Sequence, residues 1–570
     1  MQRNRGQNNG AAPAQHGSPP WAPAVSLSQM RANLAANGPQ LYVGAGPRGL
    51  VWGGSQQAVL VLGPPRSGKT SSLVVPNVLA APGPVVVTST KLDVLQRTLA
   101  SRCALGRCWV LDPTGTVQVP AGAHTIRWSP VEAASDWEEA LVTARVMSQA
   151  ARPDGHRGEA AHWTERAEAL LAPLLHASAL TGGGMRQVLS WVLCQDVQTP
   201  MAVLLGRSPN GRLAMEVLGG IAATEERERS GIFSTAAGTL AAYRSAAALA
   251  AADEPNFDPS TLPTTCDTVF VCAPARYQAL VSPVVVAFLE QVRSGTYSRW
   301  ASGSLRLPTT LVLDEVANIA PLPDLPSMVS EGGGQGLLTM ACLQDLSQAR
   351  TRWGQAADGF FSLFGTKVVL PGVGDMRTLE VVSRLAGQVD VPVGSVTANP
   401  WWTGRPGMSI TRTWRRQARL PVDAAHSLPP GSALVVAAAQ PPRLAHLTPW
   451  WSYPPFSEAT TTAAALRRSL PWAGGAGFPG PSGTGPPGRD RRGLGRPGQV
   501  QPTPGKAGPG QAGPGQAAGR ASRPLGLAEI PTGMPAPPSP PPGLRPQGPD
   551  LTVTWQRVRG ARRRLPPPGA

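Results

Sequence analysis

Short runs of consecutive apolar residues recur along the middle of the chain, separated by stretches with helical periodicity. The runs lie at 41–43, 49–52, 58–62, 84–88, 108–112, 267–272, 310–315, 337–344, 366–370 and 433–437. Continuous apolar character, rather than alternation, is typical of strands that are buried on both faces. Strands that alternate with helices predict an α/β fold with a mostly parallel sheet and helices on both of its faces.

Between about residues 129 and 255 the pattern changes to apolar positions at helical spacing. Ala- and Leu-rich segments predict helices at 136–151, 162–180, 185–194 and 213–252. Gly183-Gly184 and the segment 208–211 interrupt this pattern, as turns do. We therefore predict an all-α domain inserted into the α/β domain.

A glycine-rich loop follows the apolar run at 58–62 and precedes a helical segment. The candidate binding residues are the loop residues Gly63, Pro64, Pro65, Arg66, Ser67, Gly68, Lys69 and Thr70, together with Ser71, which follows the loop. Strand, loop and helix in this order give the context of a phosphate-binding loop, in which backbone N–H groups and a helix N-terminus surround phosphate oxygens. Lys69 would reach the β- and γ-phosphates of ATP, and the Thr70 hydroxyl would bind Mg²⁺.

The rarity of lysine makes a chance match to this motif improbable. Only four of the 51 basic residues are lysines, and one of them is Lys69. A chain that otherwise uses arginine thus has a compact ammonium where phosphates would lie. The alternative is a glycine-rich turn that binds nothing.

Two carboxylates end the apolar run at 310–315. Asp314 would hold Mg²⁺ and Glu315 would orient the attacking water, because a carboxylate pair closing a buried strand needs a cation or a polar partner. Gln344 ends the next strand, where it either faces the γ-phosphate or is a surface amide. Lys91 follows the strand at 84–88, and we expect it to pair with Asp93 rather than to contact phosphate or DNA.

These motifs and the composition divide the chain into five regions. We predict a disordered segment at 1–40, a nucleotide-binding domain in two parts at 41–128 and 259–455, the all-α insertion at 129–258, and a disordered tail at 456–570. Proline and glycine dominate the tail, which repeats the sequence AGPGQ directly at 507–516. Such a composition is typical of a linker-like segment without a core.

The net charge of +17 is concentrated in the two terminal regions. Residues 461–570 contain 15 basic and 3 acidic side chains, residues 1–40 contain three arginines and no acid, and residues 41–460 carry only +2. Charge therefore indicates an adhesive tail rather than a basic DNA channel in the core. The cluster at 551–564 is either a solvated basic end or a docking peptide for nucleic acid, anionic lipid or a partner protein.

Several classes of protein are excluded by what the sequence lacks. The six cysteines form no C-x-x-C pair and the seven histidines form no H-E-x-x-H, which argues against a zinc site or a disulfide framework. No signal peptide and no apolar stretch of about 18 residues is present, so we expect no transmembrane helix. The expected location is the cytoplasm or, peripherally, the cytoplasmic face of the membrane.

The chain resembles the TraG/TraD-type coupling proteins of type IV secretion and conjugation, in an actinobacterial style. The similarity spans about residues 40–455, and its most specific block is DEVANIAPLP at 314–323. The other blocks are 63–70 running on to 75–77, 344–348 with 353–354, and 364–370.

The resemblance implies a RecA/FtsK-like P-loop NTPase that assembles as a homo-hexamer and hydrolyses ATP to move DNA. Single-stranded or double-stranded DNA, a relaxase or relaxosome, and type IV secretion channel proteins would be its partners. It implies ATP contacts at Lys69 and Thr70, metal and water roles at Asp314 and Glu315, and γ-phosphate sensing by Gln344. The all-α domain would take part in substrate recognition.

Two departures from the family pattern keep other functions open. Many members have N-terminal transmembrane helices, which we do not expect in this chain. Relatives also often have an arginine between the two strands that end at Glu315 and Gln344, whereas this chain reads EGGGQG at 331–336. Four arginines could substitute, and the sequence does not choose among Arg350, Arg352, Arg377 and Arg384. The alternatives are an ATP-switched recruitment adaptor with little hydrolysis, an FtsK/HerA-like translocase and, more distantly, a metabolite kinase.

Overall fold

The fold is built on one large mixed sheet. The computed structural model describes residues 25–152, 159–206, 210–398, 408–437 and 440–459. Within these residues fourteen strands are formed: β1 Tyr42–Gly46, β2 Gly49–Trp52, β3 Val59–Leu62, β4 Val85–Ser89, β5 Cys108–Leu111, β6 Ala123–Thr125, β7 Thr268–Cys272, β8 Thr309–Leu313, β9 Leu337–Leu343, β10 Thr366–Val369, β11 Gln388–Ala398, β12 Met408–Ala418, β13 Ser432–Ala437 and β14 Arg443–His446.

Twelve of the described strands form the sheet, in the order β2-β1-β14-β13-β10-β3-β9-β8-β4-β7-β5-β6. The eight strands from β10 to β6 are parallel to their neighbours, and the strands from β13 to β2 are antiparallel. Because β9 lies between β3 and β8, the carboxyl ends of these three strands meet at one edge of the sheet. All the predicted strands are present, and the mostly parallel sheet is confirmed.

Seventeen α-helices accompany the sheet in the described part of the chain. They are α1 Leu27–Asn37, α2 Val75–Ala80, α3 Asp93–Cys103, α4 Trp137–Ala151, α5 Glu159–Leu180, α6 Met185–Cys194, α7 Gln198–Leu204, α8 Gly211–Ala222, α9 Glu226–Thr239, α10 Ala246–Ala252, α11 Gln278–Ala301, α12 Val316–Ile319, α13 Leu325–Glu331, α14 Leu346–Trp353, α15 Phe360–Leu363, α16 Met376–Ala386 and α17 Val422–His426.

The central strands are buried on both faces, as their continuous apolar character predicts. Val59 and Val61 point to one face of β3 and Leu60 and Leu62 to the other, and all four are fully buried. At the edge opposite the carboxyl ends, the buried guanidinium of Arg102 donates to carbonyl oxygens of the two chain segments that precede β4 and β7, and to a threonine hydroxyl. These acceptors are Ala81 O, Gly83 O, Cys266 O and Thr268 Oγ1. This arginine therefore ties together the loops that begin the parallel strands.

Helices α4 to α10 form the inserted all-α part between β6 and β7. The helix predicted at 213–252 is wrong as a single element, since α8, α9, a short 3-10 helix at Ala241–Arg244 and α10 divide it. The breaks occur because Glu225 and Ser245 have extended backbone conformations, with ψ of 141° and 134°. The boundaries proposed for the domains remain predictions.

The prediction of disorder for residues 1–40 is wrong for the described residues 25–40. Helix α1 begins with Ser26 as its N-cap and buries Leu27, Met30 and Leu34 against the main core. The Arg31 side chain also donates to Leu79 O on α2 and to Ser101 Oγ on α3. Burial of a narrow apolar stripe thus holds a helix whose overall composition is polar. The predicted disorder is also wrong for residues 456–459 of the tail, because Phe456 is fully buried in the main core. The rest of the predicted disorder falls on residues 1–24 and 460–570, which lie outside the described residues.

Strands β11 and β12 form a separate antiparallel hairpin that the sequence did not predict. Eleven pairs of residues face each other, from Gln388 opposite Ala418 to Ala398 opposite Met408.

In the described part of the chain, no helix is both long enough and apolar enough to cross a membrane.

Candidate functional site

The predicted phosphate-binding loop leaves β3 at Leu62 and enters a helical segment at Thr70. Gly63 N donates to Leu343 O at 3.2 Å, which ties the start of the loop to the end of β9. A Cβ at Gly63 would lie 2.7 Å from Ser67 Oγ and 2.9 Å from Leu370 Cβ, so only glycine fits there. Gly68 has φ of +95°, a conformation that favours glycine. The sequence motif thus folds as a tight loop at the carboxyl edge of the sheet.

Polar groups point into this loop. Lys69 is buried, and its Nζ donates to Gly63 O and Pro64 O at 2.5 and 3.0 Å. Ser67 Oγ is buried and has no hydrogen-bond partner among the described residues. Ser71 Oγ donates to Gly68 O at 3.3 Å, while Pro65 and Arg66 are exposed at the tip. A buried ammonium and an orphaned hydroxyl within a loop of backbone N–H groups match the needs of a phosphate group.

The two predicted metal-binding residues are in direct contact. Thr70 Oγ1 donates to Asp314 Oδ2 at 2.8 Å. Thr88, at the end of β4, donates from Oγ1 to Asp314 O at 2.7 Å and fixes the backbone of the acidic residue from the other side. The contact arises because β8 pairs with both β4 and β9, and β9 pairs with β3.

Asp314 is a buried carboxylate with few partners. Burial raises the pKa of Asp314 to about 6, the Glu315 charge adds to this rise, and the Thr70 hydrogen bond and the Lys69 charge oppose it. Such a group is stabilised by a cation. The described residues contain no cluster of three or more acidic, His or Cys side chains that would form a metal cage. One hydroxyl and one carboxylate suit Mg²⁺, which usually binds few protein ligands and keeps waters and phosphates.

Glu315 occupies an unusual backbone conformation. Its φ is +55° and its ψ is +45°, in the left-handed region that non-glycine residues rarely adopt, and it precedes α12. Asn318 Nδ2 donates to Glu315 Oε2 at 3.2 Å. The half-buried carboxylate is therefore turned at the strand end and held from one side. No role was predicted for Asn318, although it lies in the DEVANIAPLP block that carries the family resemblance.

Gln344 lies one residue beyond β9, between the ends of β3 and β8. Its N–H donates to Gln348 Oε1 at 2.9 Å, and its side chain is partly exposed. Its suggested γ-phosphate role remains a prediction. The expected ion pair between Lys91 and Asp93 is not among those formed by the described residues, and Asp93 Oδ1 accepts the N–H of Val94 at 2.9 Å.

Three of the four candidate arginines, Arg350, Arg384 and Arg377, can be compared by their surroundings. Arg350 lies 2.9 Å from Asp358 and 3.5 Å from Asp375, so two carboxylates of its own chain already engage it. Arg384 is exposed and lies 4.0 Å from Glu380. Arg377 is exposed near the start of α16. None of these positions is fixed by the nucleotide loop.

Fold and site together define a RecA/FtsK-like P-loop NTPase that carries an inserted all-α domain, as predicted. Residues 28–469 match the sequence model of the family described as "Type IV secretory system Conjugative DNA transfer". The chain therefore belongs to the conjugative DNA transfer family of type IV secretion systems, and the predicted family is confirmed. No curated protein matches the sequence.

Solved structures of the bacterial conjugative coupling protein TrwB share the fold. The unbound form is 18% identical with a TM-score of 0.54, over 74% of this chain and 92% of TrwB. The TrwB complex with ADP and Mg²⁺ is 19% identical with a TM-score of 0.52, over 69% and 86% of the two chains. The complex with a non-hydrolysable ATP analogue is 20% identical with a TM-score of 0.52, over the same shares.

Proposed function

We propose that this chain is an ATP-driven coupling protein that moves DNA toward a type IV secretion channel. The observation that carries the proposal is the 2.8 Å contact between Thr70 Oγ1 and Asp314 Oδ2. It brings the two halves of a nucleotide site together at the edge of the sheet where ligands of α/β proteins bind. Membership of the conjugative DNA transfer family adds the DNA and secretion partners.

The loop residues 63–71 would bind the phosphates of ATP. Backbone N–H groups and the N-terminus of the helical segment at Thr70 would face the phosphate oxygens. Lys69 would exchange the carbonyl oxygens of Gly63 and Pro64 for the β- and γ-phosphates. Thr70 and Asp314 would hold Mg²⁺, which neutralises the charge that develops on the phosphates when it is bound. One TrwB structure contains ADP and Mg²⁺ and another contains a non-hydrolysable ATP analogue, which supports a nucleotide and Mg²⁺ as the ligands here.

Glu315 is the proposed catalytic base. Its carboxylate would accept a proton from the attacking water and orient it toward the γ-phosphate. Asn318 would position that carboxylate through the 3.2 Å hydrogen bond. Gln344, at the end of the strand between the two motifs, would sense the γ-phosphate.

The proposal extends to assembly and partners. We propose a homo-hexamer that acts on single-stranded or double-stranded DNA and receives it from a relaxase or relaxosome. Contact with secretion channel proteins would place the chain peripherally on the cytoplasmic face of the membrane. The all-α part at α4–α10 would contribute to substrate recognition.

A second candidate is a recruitment adaptor that binds ATP as a switch and hydrolyses it slowly. The observation in its favour is the engagement of Arg350 by Asp358 and Asp375, together with the lack of arginine at 331–336. An arginine supplied by a neighbouring subunit commonly raises hydrolysis by several orders of magnitude, and its loss would leave a slow enzyme.

DNA-stimulated ATPase assays on the full chain separate the two candidates. We expect single-stranded DNA to stimulate hydrolysis by the wild type, and Lys69→Ala to abolish both nucleotide binding and turnover. Arg306→Ala, at an exposed position before the amino end of β8, is the control and should behave as the wild type. An unstimulated wild type that still binds DNA would contradict the motor and support the adaptor.

A further inference from the structure

The hairpin β11–β12 projects a long, exposed ribbon from the α/β domain. Each strand has 11 residues and would span about 35 Å. Residues 410–417 of β12 are all exposed. A two-stranded ribbon gains little stability from its own contacts in water, which suggests that this one serves a purpose other than packing.

One face of the ribbon combines an exposed aromatic ring with arginines. Side chains alternate between the faces of a strand, so Ile410, Arg412, Trp414 and Arg416 lie on the same face. Trp414 is 72% exposed and Ile410 is 64% exposed. Opposite Trp414 and Arg412 lie Pro392 and Gly394, which leave the ring and the guanidinium uncovered. Ile410 and Trp414 thus form an exposed apolar patch beside arginines, and apolar patches rimmed by polar side chains mark interaction sites.

The ribbon is also basic, in contrast to the nearly neutral core. Its described residues and the adjoining Arg419 include four arginines and one acid, Asp390. Asp390 lies 3.5 Å from Arg416, which it faces across the strands. Arg412 and Arg415 form no ion pair within the described part of the chain. The net positive charge of the ribbon complements the negative charge of a polyanion.

The base of the ribbon is connected to the nucleotide loop. Arg419 N donates to Gly387 O at 2.9 Å and closes the ribbon next to α16. Beyond it, α17 ends at His426, whose backbone O accepts from Gly372 N at 3.1 Å. A Cβ on Gly372 would lie 3.4 Å from Pro64 Cγ of the phosphate-binding loop. The helix that follows the ribbon in the chain therefore ends beside Gly372, which lies next to Pro64 of the phosphate-binding loop.

We propose that the ribbon face around Trp414 binds single-stranded nucleic acid, with Trp414 stacking on an unpaired base and Arg412 contacting phosphate. This inference rests on the proposed function for the presence of DNA, and it names the contacting surface within it. Aromatic rings that stack on bases beside basic side chains that follow the backbone are the usual features of single-strand binding. A duplex keeps its bases stacked inside and offers no ring face to Trp414.

The test uses the full chain and two fluorescent probes, an oligothymidine of about 20 nucleotides and an abasic strand of the same length. Anisotropy is measured at about 200 mM salt, where purely electrostatic binding by the basic tail is weakened. We expect the wild type to prefer the oligothymidine, and Trp414→Ala to lose about tenfold in affinity for it while its affinity for the abasic strand is unchanged. Trp414→Phe should keep most of the preference.

Matched controls separate stacking from general effects. Trp451, which is 56% exposed elsewhere on the surface, is the aromatic control, and Trp451→Ala should bind as the wild type does. Arg412→Gln should lower the salt dependence of binding by about 0.7 in the logarithmic slope, since one phosphate contact is lost. The exposed Arg306 provides the charge control, and Arg306→Gln should leave the slope unchanged.

Three results would overturn the inference. The first is equal binding of both probes by Trp414→Ala and the wild type. The second is a change in oligomeric state in Trp414→Ala, which would assign the face to a second copy of the chain. The third is Trp414-dependent binding of anionic vesicles with unaltered oligonucleotide binding. If DNA stimulates ATP hydrolysis but Trp414→Ala binds DNA as the wild type does, this inference is contradicted and the proposed function is not. If DNA binding depends on Trp414 but no ATP is hydrolysed, the proposed motor function is contradicted and this inference is not.

Discussion

Thr70 Oγ1 and Asp314 Oδ2 are 2.8 Å apart although 244 residues separate them in the chain. The whole all-α part and five strands of the sheet, β4 to β8, lie between these two residues in the chain. A hydroxyl that touches a buried carboxylate at the end of a phosphate-binding loop is arranged to share a cation with it. Removing either side chain should therefore weaken nucleotide binding more in the presence of Mg²⁺ than in its absence.

Thr70→Ala should weaken nucleotide binding in the presence of Mg²⁺ by about tenfold or more, because one oxygen ligand is lost. Binding of the nucleotide in EDTA should change little, since the loop N–H groups and Lys69 remain. Titration of a fluorescent ADP with and without Mg²⁺ measures both. Thr70→Ser keeps the hydroxyl and should keep the Mg²⁺ effect; an equal loss with and without Mg²⁺ in Thr70→Ala would refute the metal role.

Gly63→Ala should disrupt the loop itself. The added methyl would lie 2.7 Å from Ser67 Oγ and 2.9 Å from Leu370 Cβ, so the loop or β10 must shift, at a cost of about 1–3 kcal/mol in the free energy of unfolding. Nucleotide binding should fall with it. Gly374→Ala is the matched control, because no atom lies within 4 Å of the new Cβ. Thermal unfolding with and without nucleotide measures both effects, and identical curves for the two variants would show that the loop geometry described here is wrong.

Asn318→Ala should slow ATP hydrolysis without weakening ATP binding. The 3.2 Å hydrogen bond to Glu315 Oε2 would be lost, and the carboxylate would no longer be held for the attacking water. We expect kcat to fall about tenfold with little change in KM. A purely structural role would instead lower the melting temperature and change kcat and KM together, so both are measured.

Glu168 on α5 should make stability depend on pH. Burial raises the pKa of Glu168 to about 7, with Glu165 adding to the rise and Gln149 and Arg145 opposing it. The folded state then holds a proton that the unfolded state releases above about pH 4.5. This contribution to stability is complete below that pH and is lost as the pH rises through about 7.

The free energy of unfolding of the wild type should therefore fall, relative to that of Glu168→Gln, by about 1–2 kcal/mol between pH 5 and pH 8, less than the full pKa shift implies because solvent screens the partly exposed carboxylate. The glutamine keeps the shape of the side chain and does not titrate in this range. Glu138→Gln, which removes an exposed carboxylate from α4, is the control and should show no such difference. A constant gap between wild type and Glu168→Gln at both pH values would contradict a raised pKa.

The sequence predicts those parts of the protein in which the local residues determine the conformation. Buried strands such as β3 and β4 are continuous apolar runs, and the phosphate-binding loop needs glycine at Gly63 and Gly68 for local steric reasons. The helix breaks at Glu225 and Ser245 were not predicted, because an Ala-rich sequence remains compatible with a helix and tertiary packing decides where it ends.

Other features depend on contacts between distant segments. Helix α1 is ordered by burial of three apolar side chains in the main core, which its polar sequence does not indicate. The hydrogen bond from Asn318 to Glu315 depends on the left-handed conformation of Glu315. For β11 and β12, the alternation of valines at 389, 391 and 393 was a usable signal for a strand, but its partner strand has no comparable pattern.

The central claim is that Glu315, at the joined site, drives ATP hydrolysis in response to DNA. The most direct measurement is ATP turnover by the full wild-type chain and by Glu315→Gln, each with and without single-stranded DNA, beside equilibrium binding of ATP. We predict DNA-stimulated turnover in the wild type, and in Glu315→Gln undiminished ATP binding with turnover reduced at least about a hundredfold. Equal turnover by the two proteins, or a wild type that DNA does not stimulate, would contradict the account.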